Sequence, residues 1–243
     1  MKKILITGSK GKIGKDLKEF LTHYYKIVEF EKNDKLSRDK FEGVHTVIHL
    51  AALTPQTAKK FTLKEYLEIN AGLTKQILSY ASKCRVKLII IPTSWSWMFK
   101  VGNYQYSKLI QEKIANKYKE LGLNIVIIEL PEVVHNNYKG VIQSIIENIK
   151  NNRLTTVDVT NITTITTRNI ANICRKFIEG NNKIAIVLYK KSLKTFNLYV
   201  YIKKIIKKRF PNKLKYIRKG QTKIITPVIT KNKTIIFPDF EIE

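Results

Sequence analysis

The feature that most constrains this chain is a glycine-rich segment, T-G-S-K-G-K-I-G, at residues 7–14. It follows a short apolar run, Lys3–Thr7, and opens a segment whose apolar residues recur at helical spacing up to Tyr24. A strand, a glycine loop and a helix in this order are typical of a dinucleotide-binding turn, because the helix N-terminus presents free N–H groups to a pyrophosphate. The residues predicted to bind such a cofactor here are Gly8, Gly11, Lys12, Ile13 and Gly14.

The same segment argues against a P-loop. A P-loop has four residues between its glycines and then Lys with Ser or Thr, whereas five residues separate Gly8 from Gly14 and Asp16 follows Lys15. Nucleoside triphosphate hydrolysis is therefore disfavoured.

Downstream, short apolar runs alternate with amphipathic segments. Runs rich in Ile, Val and Leu indicate strands buried on both faces of a parallel sheet, at residues 26–30, 46–50, 88–91 and 125–130. The amphipathic segments predict helices over 63–82 and 106–121. This alternation predicts an α/β fold, a Rossmann-type doubly wound parallel sheet with a small C-terminal substrate lobe.

The pattern weakens after Pro131, which suggests a boundary. Beyond it we predict a helix over 140–151, a threonine-rich extended stretch over 155–167, and helices over 169–179 and 195–209. We predict an NAD(P)-binding domain at residues 1–135 and a small, basic substrate-binding lobe at residues 136–243. Part of residues 155–190 is expected to return to the main sheet.

Glu31 is a candidate ribose ligand. It lies 20 residues beyond Gly11, at the end of the second predicted strand, where an acidic residue accepts hydrogen bonds from the adenosine ribose. This favours NAD. Lys32 and Arg38 could instead neutralise a 2′-phosphate, so NADP stays open, and Glu31 could also be an ordinary solvated carboxylate.

Three residues form a candidate catalytic set. Ser94 follows the strand at 88–91, and Tyr104 and Lys108 are four residues apart, which places both on one face of a helix. An ammonium group and an oxidised nicotinamide would stabilise the phenolate of Tyr104, so that it could exchange a proton with a substrate hydroxyl or carbonyl. Lys108 would also bind the nicotinamide ribose, and Ser94 would hydrogen-bond the reacting oxygen.

Together these motifs resemble the extended short-chain dehydrogenases, the NAD-dependent epimerase/dehydratase group that acts on nucleotide sugars. The motifs that carry the resemblance are the glycine loop, V-I-H-L-A-A at 47–52, Asn70 and Thr74, Thr93 and Ser94, Tyr104 with Ser107, Lys108 and Glu112, L-P-E-V at 130–133, and R-N-I-A at 168–171. The resemblance implies that Ser94, Tyr104 and Lys108 are catalytic, and that Leu50, Ala51, Ala52, Asn70 and Pro131 line NAD or NADP. It also implies a nucleotide-sugar substrate, and a homodimer formed through the helices at 63–82 and 106–121.

The chain departs from that family pattern in several places. The connection before Thr46 is short, so the usual third strand and its helix look shortened or missing. The stretch between Ser94 and Tyr104 is also short, and W-S-W-M replaces the customary tyrosine-glycine turn. Glu129 stands where relatives commonly carry arginine. Trp95 and Ser96 replace the Asp-Glu pair of dehydratases, so we expect epimerisation or keto-sugar reduction rather than dehydration.

The charge distribution leaves a further alternative. The chain carries 45 Lys and Arg against 19 Asp and Glu, a net charge of +26, and residues 180–238 hold 16 basic residues and no acidic one. A biased composition explains a lysine-rich surface, while an anionic small substrate or a nucleic acid are functional explanations. Nucleic acid is the less favoured partner, because Lys far outnumbers Arg. A non-catalytic dinucleotide-binding protein of the same fold is the other alternative.

Other residue patterns exclude further classes. Two cysteines, Cys84 and Cys174, offer no disulfide framework, which fits a reducing, cytoplasmic location. His45 and His49 are too far apart along a strand to share a metal, so no metal site is expected. The apolar runs are too short to span a bilayer.

Overall fold

A computed structural model describes residues 1–55, 61–94, 102–134, 141–157 and 161–220. Its centre is a five-stranded sheet in which all neighbouring strands are parallel, in the order β2-β1-β3-β4-β5. The strands are β1 (Lys3–Thr7), β2 (Lys26–Phe30), β3 (Val44–His49), β4 (Leu88–Ser94) and β5 (Ile125–Leu130). The prediction of a doubly wound, Rossmann-type parallel sheet is therefore confirmed.

Helices cover both faces of this sheet. The helices of this half of the chain are α1 (Lys12–Thr22), α2 (Leu63–Tyr66), α3 (Leu73–Lys83) and α4 (Asn103–Glu120). Successive strand residues point to opposite faces, so Ile4 packs in the core on the α1 side and Leu5 in the core on the α3 and α4 side. Both residues are fully buried, which explains why the strands are continuously apolar rather than alternating.

The connection between β2 and β3 is short. It contains a single turn of 3₁₀ helix, Arg38–Phe41, where many doubly wound folds insert a further strand and helix. Phe41 is fully buried and stacks on Tyr80 of α3 with ring centroids 5.5 Å apart. This contact packs the short connection against α3.

The helix predicted over 63–82 contains an irregular turn. A capping box of Thr62 and Glu65 starts α2, and a π-helical turn, Leu67–Gly72, joins it to α3. Such wide turns hold one extra residue and are frequent at functional sites. Asn70, a predicted cofactor contact, lies within this turn and is fully buried.

The remainder of the described chain adds short strands and four helices. These elements are β6 (Glu132–Val134), α5 (Val141–Lys150), β7 (Thr155–Val157), β8 (Asn161–Thr166), α6 (Thr167–Ile178), α7 (Asn182–Ser192), β9 (Lys194–Asn197), α8 (Leu198–Arg209), a 3₁₀ turn (Pro211–Tyr216) and β10 (Ile217–Lys219). β8 pairs with β6 and β9, and β10 pairs with β7, in two small sheets separate from the main one. A third hydrophobic core joins α5 to α8.

Part of the region 155–190 packs on the main sheet. Residues of α6, among them Ile170 and Ile173, share the core on the α1 side, and the Thr167 hydroxyl donates to the Asp16 carboxylate of α1 at 2.5 Å. The contact is therefore made through a helix, while the strand β8 hydrogen-bonds in the separate three-stranded sheet. The boundary placed at residue 135 lies in a range that the structure does not describe.

One local expectation for the C-terminal part was wrong, and one helix was not predicted. The helix predicted to start at Thr195 begins at Leu198, because Lys194–Asn197 pair antiparallel with β8 and Asn197 caps α8. The helix α7 was not predicted at all. The basic residues of α8 lie on its exposed face, in line with a solvated surface: Lys203, Lys204, Lys207, Lys208 and Arg209. Among the helices described here, none has the length and hydropathy to cross a membrane.

Candidate active site

Two loops meet where the strand order of the main sheet reverses. β1 lies between β2 and β3, so the chain adds β2 on one side of β1 and then returns to add β3, β4 and β5 on the other side. Ligands of such sheets bind at the carboxyl ends of the strands at this point. The loop after β1 carries Gly8, and the loop after β3 carries Leu50, Ala51 and Ala52. The Leu50 amide donates to the Thr7 carbonyl at 3.1 Å, which holds the two loops together.

The glycine loop has the backbone that a pyrophosphate site requires. Gly8 has a φ of +71°, and a Cβ there would lie 2.9 Å from the Ala51 backbone, so both conformation and space exclude a side chain. Gly11 is the N-cap of α1 and leaves the helix end without a capping side chain or an acidic residue in the first turn. The residues present therefore fit a dinucleotide phosphate, which Gly11, Lys12 and Ile13 would hold at the positive end of the helix.

Glu31 is turned toward this loop. Its carboxylate accepts from the Ser9 hydroxyl at 2.5 Å and from the Lys10 amide at 3.0 Å, while its own amide donates to Asp34. Ser9 also contacts the carboxylate of Glu29, whose pKa is lowered chiefly by this hydrogen bond and also by Lys18. Ser9, which the sequence analysis did not select, therefore fixes Glu31 beside the predicted ribose position.

The predicted catalytic residues lie on two neighbouring elements. Tyr104 is in the first turn of α4, partly exposed, with its ring 6.0 Å from that of Tyr66. Lys108 lies one turn later and is only 5% exposed. The main chain of Ser94 ends β4 beside Leu130, but its side chain lies outside the described part of the chain. The W-S-W-M segment is likewise outside the described residues.

Burial dominates the electrostatics of Lys108. Loss of solvent lowers the pKa of its ammonium to about 8, against a smaller opposing effect of the Glu112 carboxylate. The pKa of Glu112 is itself raised by burial and by the nearby Glu129, while Lys108 lowers it. The carboxylate of Glu129 therefore weakens the ionisation of Glu112 behind the candidate site.

Lys108 belongs to a chain of buried hydrogen bonds. Its Nζ donates to Oε1 of Gln111, and Nε2 of Gln111 donates to Oγ1 of Thr74 at 2.7 Å. Thr74 contacts Nε2 of His49 at 2.8 Å, and Nδ1 of His49 contacts Oγ1 of Thr7 at 2.7 Å. Burial lowers the pKa of His49 to about 3, so its ring is neutral at physiological pH.

A second buried connection runs through Asn70. Its Oδ1 accepts from the Leu53 amide at 2.7 Å, and its Nδ2 donates to the Leu53 carbonyl and to Oγ of Ser107. Ser107 in turn donates to the Tyr104 carbonyl at 2.7 Å. Asn70 therefore fixes the loop after β3 against the first turn of α4, while its own side chain is fully buried.

The structure brings most of the predicted cofactor contacts to one edge of the sheet. Those gathered at the ends of β1, β2 and β3 are Gly8, Gly11, Lys12, Ile13, Gly14, Glu31, Leu50, Ala51 and Ala52. Pro131 is buried directly after β5, two strands beyond β3. Ser9 and Gln111 were not predicted as site residues, and Ser107 was named only as part of the family motif. Gln111 follows Lys108 by three residues, and that helical spacing was the available signal.

Comparison with known proteins identifies one matching family model and many solved structures of similar fold. A family model described as the NAD dependent epimerase/dehydratase family matches residues 4–170, more than half of the chain. No curated protein sequence matches it. The match ends within α6, so it includes the glycine loop, the loop after β3 and all of α4.

Three solved structures illustrate the shared fold. A dTDP-glucose 4,6-dehydratase from Streptomyces venezuelae, with NAD bound, has a TM-score of 0.66 at 14% identity and covers 90% of this chain and 84% of its own. A dTDP-4-dehydrorhamnose reductase from Bacillus anthracis, in complex with NADP, has a TM-score of 0.66 at 17% identity over 91% and 84%. A UDP-glucuronic acid 4-epimerase from Bacillus cereus has a TM-score of 0.62 at 17% identity over 73% of each chain.

Proposed function

Because this chain belongs to the NAD-dependent epimerase/dehydratase family, we propose that it is an epimerase or 4-ketoreductase of a nucleotide-diphosphate sugar, with Tyr104 as its acid and base. The observation that carries the proposal is the pair of Tyr104 and Lys108, one helical turn apart on α4 and tied through buried side chains to the loop after β3. That loop touches the glycine loop. One hydrogen-bonded set of residues would thus support both cofactor binding and proton transfer.

Each group has a defined chemical task. When bound, the cofactor supplies hydride acceptance and donation at its nicotinamide ring. The Tyr104 phenolate takes the proton of a sugar hydroxyl as hydride leaves the sugar carbon, and the resulting phenol returns a proton to a carbonyl oxygen when hydride comes back. The Lys108 ammonium stabilises the phenolate form. Ser94, at the end of the adjacent strand, would hydrogen-bond the reacting oxygen.

We infer that the cofactor is NAD rather than NADP. The Glu31 carboxylate is held between the end of β2 and the Lys10 amide, where it can accept from ribose hydroxyls and would repel a 2′-phosphate. The alternative phosphate ligand, Arg38, is exposed and lies 4.0 Å from Glu42. Lys32 is also exposed. We therefore expect repulsion of a 2′-phosphate by Glu31 to exceed its attraction to Lys32 and Arg38, because both cations are solvated and neither is held toward the ribose position.

Turnover of a defined panel tests this function. The purified protein would be incubated with NAD and, separately, UDP-glucose, UDP-galactose, UDP-glucuronic acid or dTDP-glucose, and with NADH and dTDP-4-dehydrorhamnose. Isomer formation without net NADH would identify an epimerase, and NADH consumption a reductase. Binding of NAD without turnover of any of these sugars would instead favour the non-catalytic dinucleotide-binding alternative.

Two further expectations accompany this proposal. A homodimer through α3 and α4 follows from the family resemblance, and light scattering at several protein concentrations would test it. A salt-dependent retention assay on single- and double-stranded nucleic acid addresses the basic C-terminal region, since phosphate binding weakens steeply with salt. We expect a dimer and no specific retention.

A further inference from the structure

Four buried polar side chains lead from the loop after β3 to the Lys108 ammonium. The Ala51 amide donates to Oγ1 of Thr7 at 3.1 Å, and the line continues through His49, Thr74 and Gln111 to Lys108. Each of these four side chains is at most 1% exposed. Burying a polar group costs free energy unless the group is hydrogen-bonded. These hydrogen bonds therefore restrict which side-chain conformations the region can adopt.

The hydrogen-bond directions along this line are fixed by Thr74. Its single hydroxyl proton is donated to the Asn70 carbonyl at 2.6 Å, so the oxygen can only accept from its other neighbours. The Gln111 amide must therefore turn its NH₂ group to Thr74 and its oxygen to Lys108. By the same reasoning His49 carries its proton on Nε2, and its Nδ1 accepts from the Thr7 hydroxyl.

We propose that Gln111 is a positioning residue for Lys108, and that Thr74, whose hydroxyl proton is held by the Asn70 carbonyl, orients the Gln111 amide so that its oxygen faces the ammonium. The catalytic part of this inference depends on the proposed function, since it assumes that Lys108 acts in turnover. The electrostatic part concerns the free protein alone. An amide oxygen aimed at the Nζ atom stabilises the charged form of the lysine and sets its location on α4.

The alternative is that Gln111 only fills space in the core. An apolar side chain of the same length would fill the space equally well. An oriented hydrogen-bond acceptor would in addition oppose the fall in the pKa of Lys108 that burial causes. Within the described ranges, the titratable groups that interact electrostatically with Lys108 are His49 on β3 and Glu112 on α4, and Glu129 of β5 acts in turn on Glu112.

Two substitutions of similar size separate these roles. Gln111→Met keeps the length of the side chain and removes the acceptor, while Gln111→Glu keeps the shape and adds a negative charge. Gln76→Met, at an exposed position of α3, is the matched control. The lysine Cε resonances of the ¹³C-lysine-labelled full-length protein would be followed against pH without any ligand, and Lys108→Arg would identify the resonance of Lys108.

We expect the two variants to shift Lys108 in opposite directions. Its proton affinity should fall about tenfold in Gln111→Met and rise about tenfold in Gln111→Glu, with no change in Gln76→Met. If the panel identifies a substrate, the alkaline limb of the plot of kcat against pH should move to lower pH in Gln111→Met and to higher pH in Gln111→Glu. A purely structural role would lower kcat or stability without moving the titration.

An unshifted Lys108 titration in either folded variant would overturn the proposal. If Gln111→Met does not fold, Gln111→Glu decides alone. Opposite shifts in a protein that turns over none of the sugars would contradict the proposed function and leave the positioning of Lys108 in place. The two failures are therefore distinguishable.

Discussion

Gly14 of α1 approaches Gly8 so closely that a Cβ atom at Gly14 would lie 2.2 Å from the Gly8 carbonyl oxygen. The Gly8 carbonyl is a backbone group, so it cannot rotate away from the added Cβ as a flexible side chain could. We expect Gly14→Ala to lower the free energy of unfolding by about 2–4 kcal/mol and to weaken NAD binding, because α1 must shift away from β1.

Urea unfolding measured beside NAD titration checks this prediction. Gly72→Ala is the control, since a Cβ there would meet only the Leu67 carbonyl at an ordinary 3.7 Å. That variant should change stability by less than about 1 kcal/mol. Equal effects of the two substitutions would contradict the packing role assigned to Gly14.

Removing the charge of Glu31 should reduce the preference for NAD. Glu31→Gln retains the shape of the side chain but loses the anion that would accept from ribose hydroxyls and repel a 2′-phosphate. We expect about tenfold weaker NAD binding and a smaller ratio of NAD to NADP affinity. Glu19→Gln, at an exposed position of α1, should alter neither value in the same calorimetric titrations.

Removing the phenolic hydroxyl of Tyr104 should separate binding from turnover. We expect Tyr104→Phe to bind NAD nearly as well as the parent protein and to turn over its sugar at least about 10²-fold more slowly. Tyr106→Phe, two residues later on the same helix, is the matched control and should keep its activity. Retained turnover in Tyr104→Phe would remove Tyr104 from the reaction.

His49 should make the fold sensitive to acid. Its pKa is lowered by burial from 6.5 to about 3 in the folded chain, whereas the unfolded chain takes up a proton near 6.5. The unfolded state thus binds more protons between these values, and the stability present above pH 6.5 is lost as pH falls toward 3. At about 1.4 kcal/mol per pH unit, the loss approaches roughly 4–5 kcal/mol.

Chemical unfolding from pH 7 to pH 4 would measure the larger part of this loss. We expect His49→Gln to be less stable at neutral pH, because the contacts to Thr7 and Thr74 change, but to lose less stability on acidification. His23→Gln, at an exposed position, should keep the steep fall of the parent. Parallel curves for His49→Gln and the parent would show that His49 does not determine the acid response.

The main sheet was predictable because its strands and glycine turn follow local rules. A strand buried on both faces must be apolar at every position, as Ile4 and Leu5 show, and only glycine satisfies the backbone at Gly8. The C-terminal part has weaker local signals. Residues 195–197 were predicted as the start of a helix, because their own sequence gives no sign of the pairing with β8.

The loops of the candidate site could be predicted from the sequence, whereas its buried hydrogen bonds could not. Glycines and strand ends mark a cofactor edge in the sequence, whereas Gln111 is one polar residue among many on α4. The orientation of its amide is set by Thr74, which lies 37 residues earlier in the chain. Buried polar contacts of this kind depend on the tertiary fold, which pattern and propensity do not specify.

The wide turn at Leu67–Gly72 makes this region tolerant of a change in length. A π-helical turn contains one residue more than an α-helical turn, so loss of one residue there would restore regular helix without rotating α3. Thr74 and the buried stripe of α3 would keep their places, while Asn70 would lose its reach to Leu53. The same deletion within α3 would turn its apolar face by about 100° away from the sheet. Relatives that differ in length by one residue should therefore carry the gap in this turn.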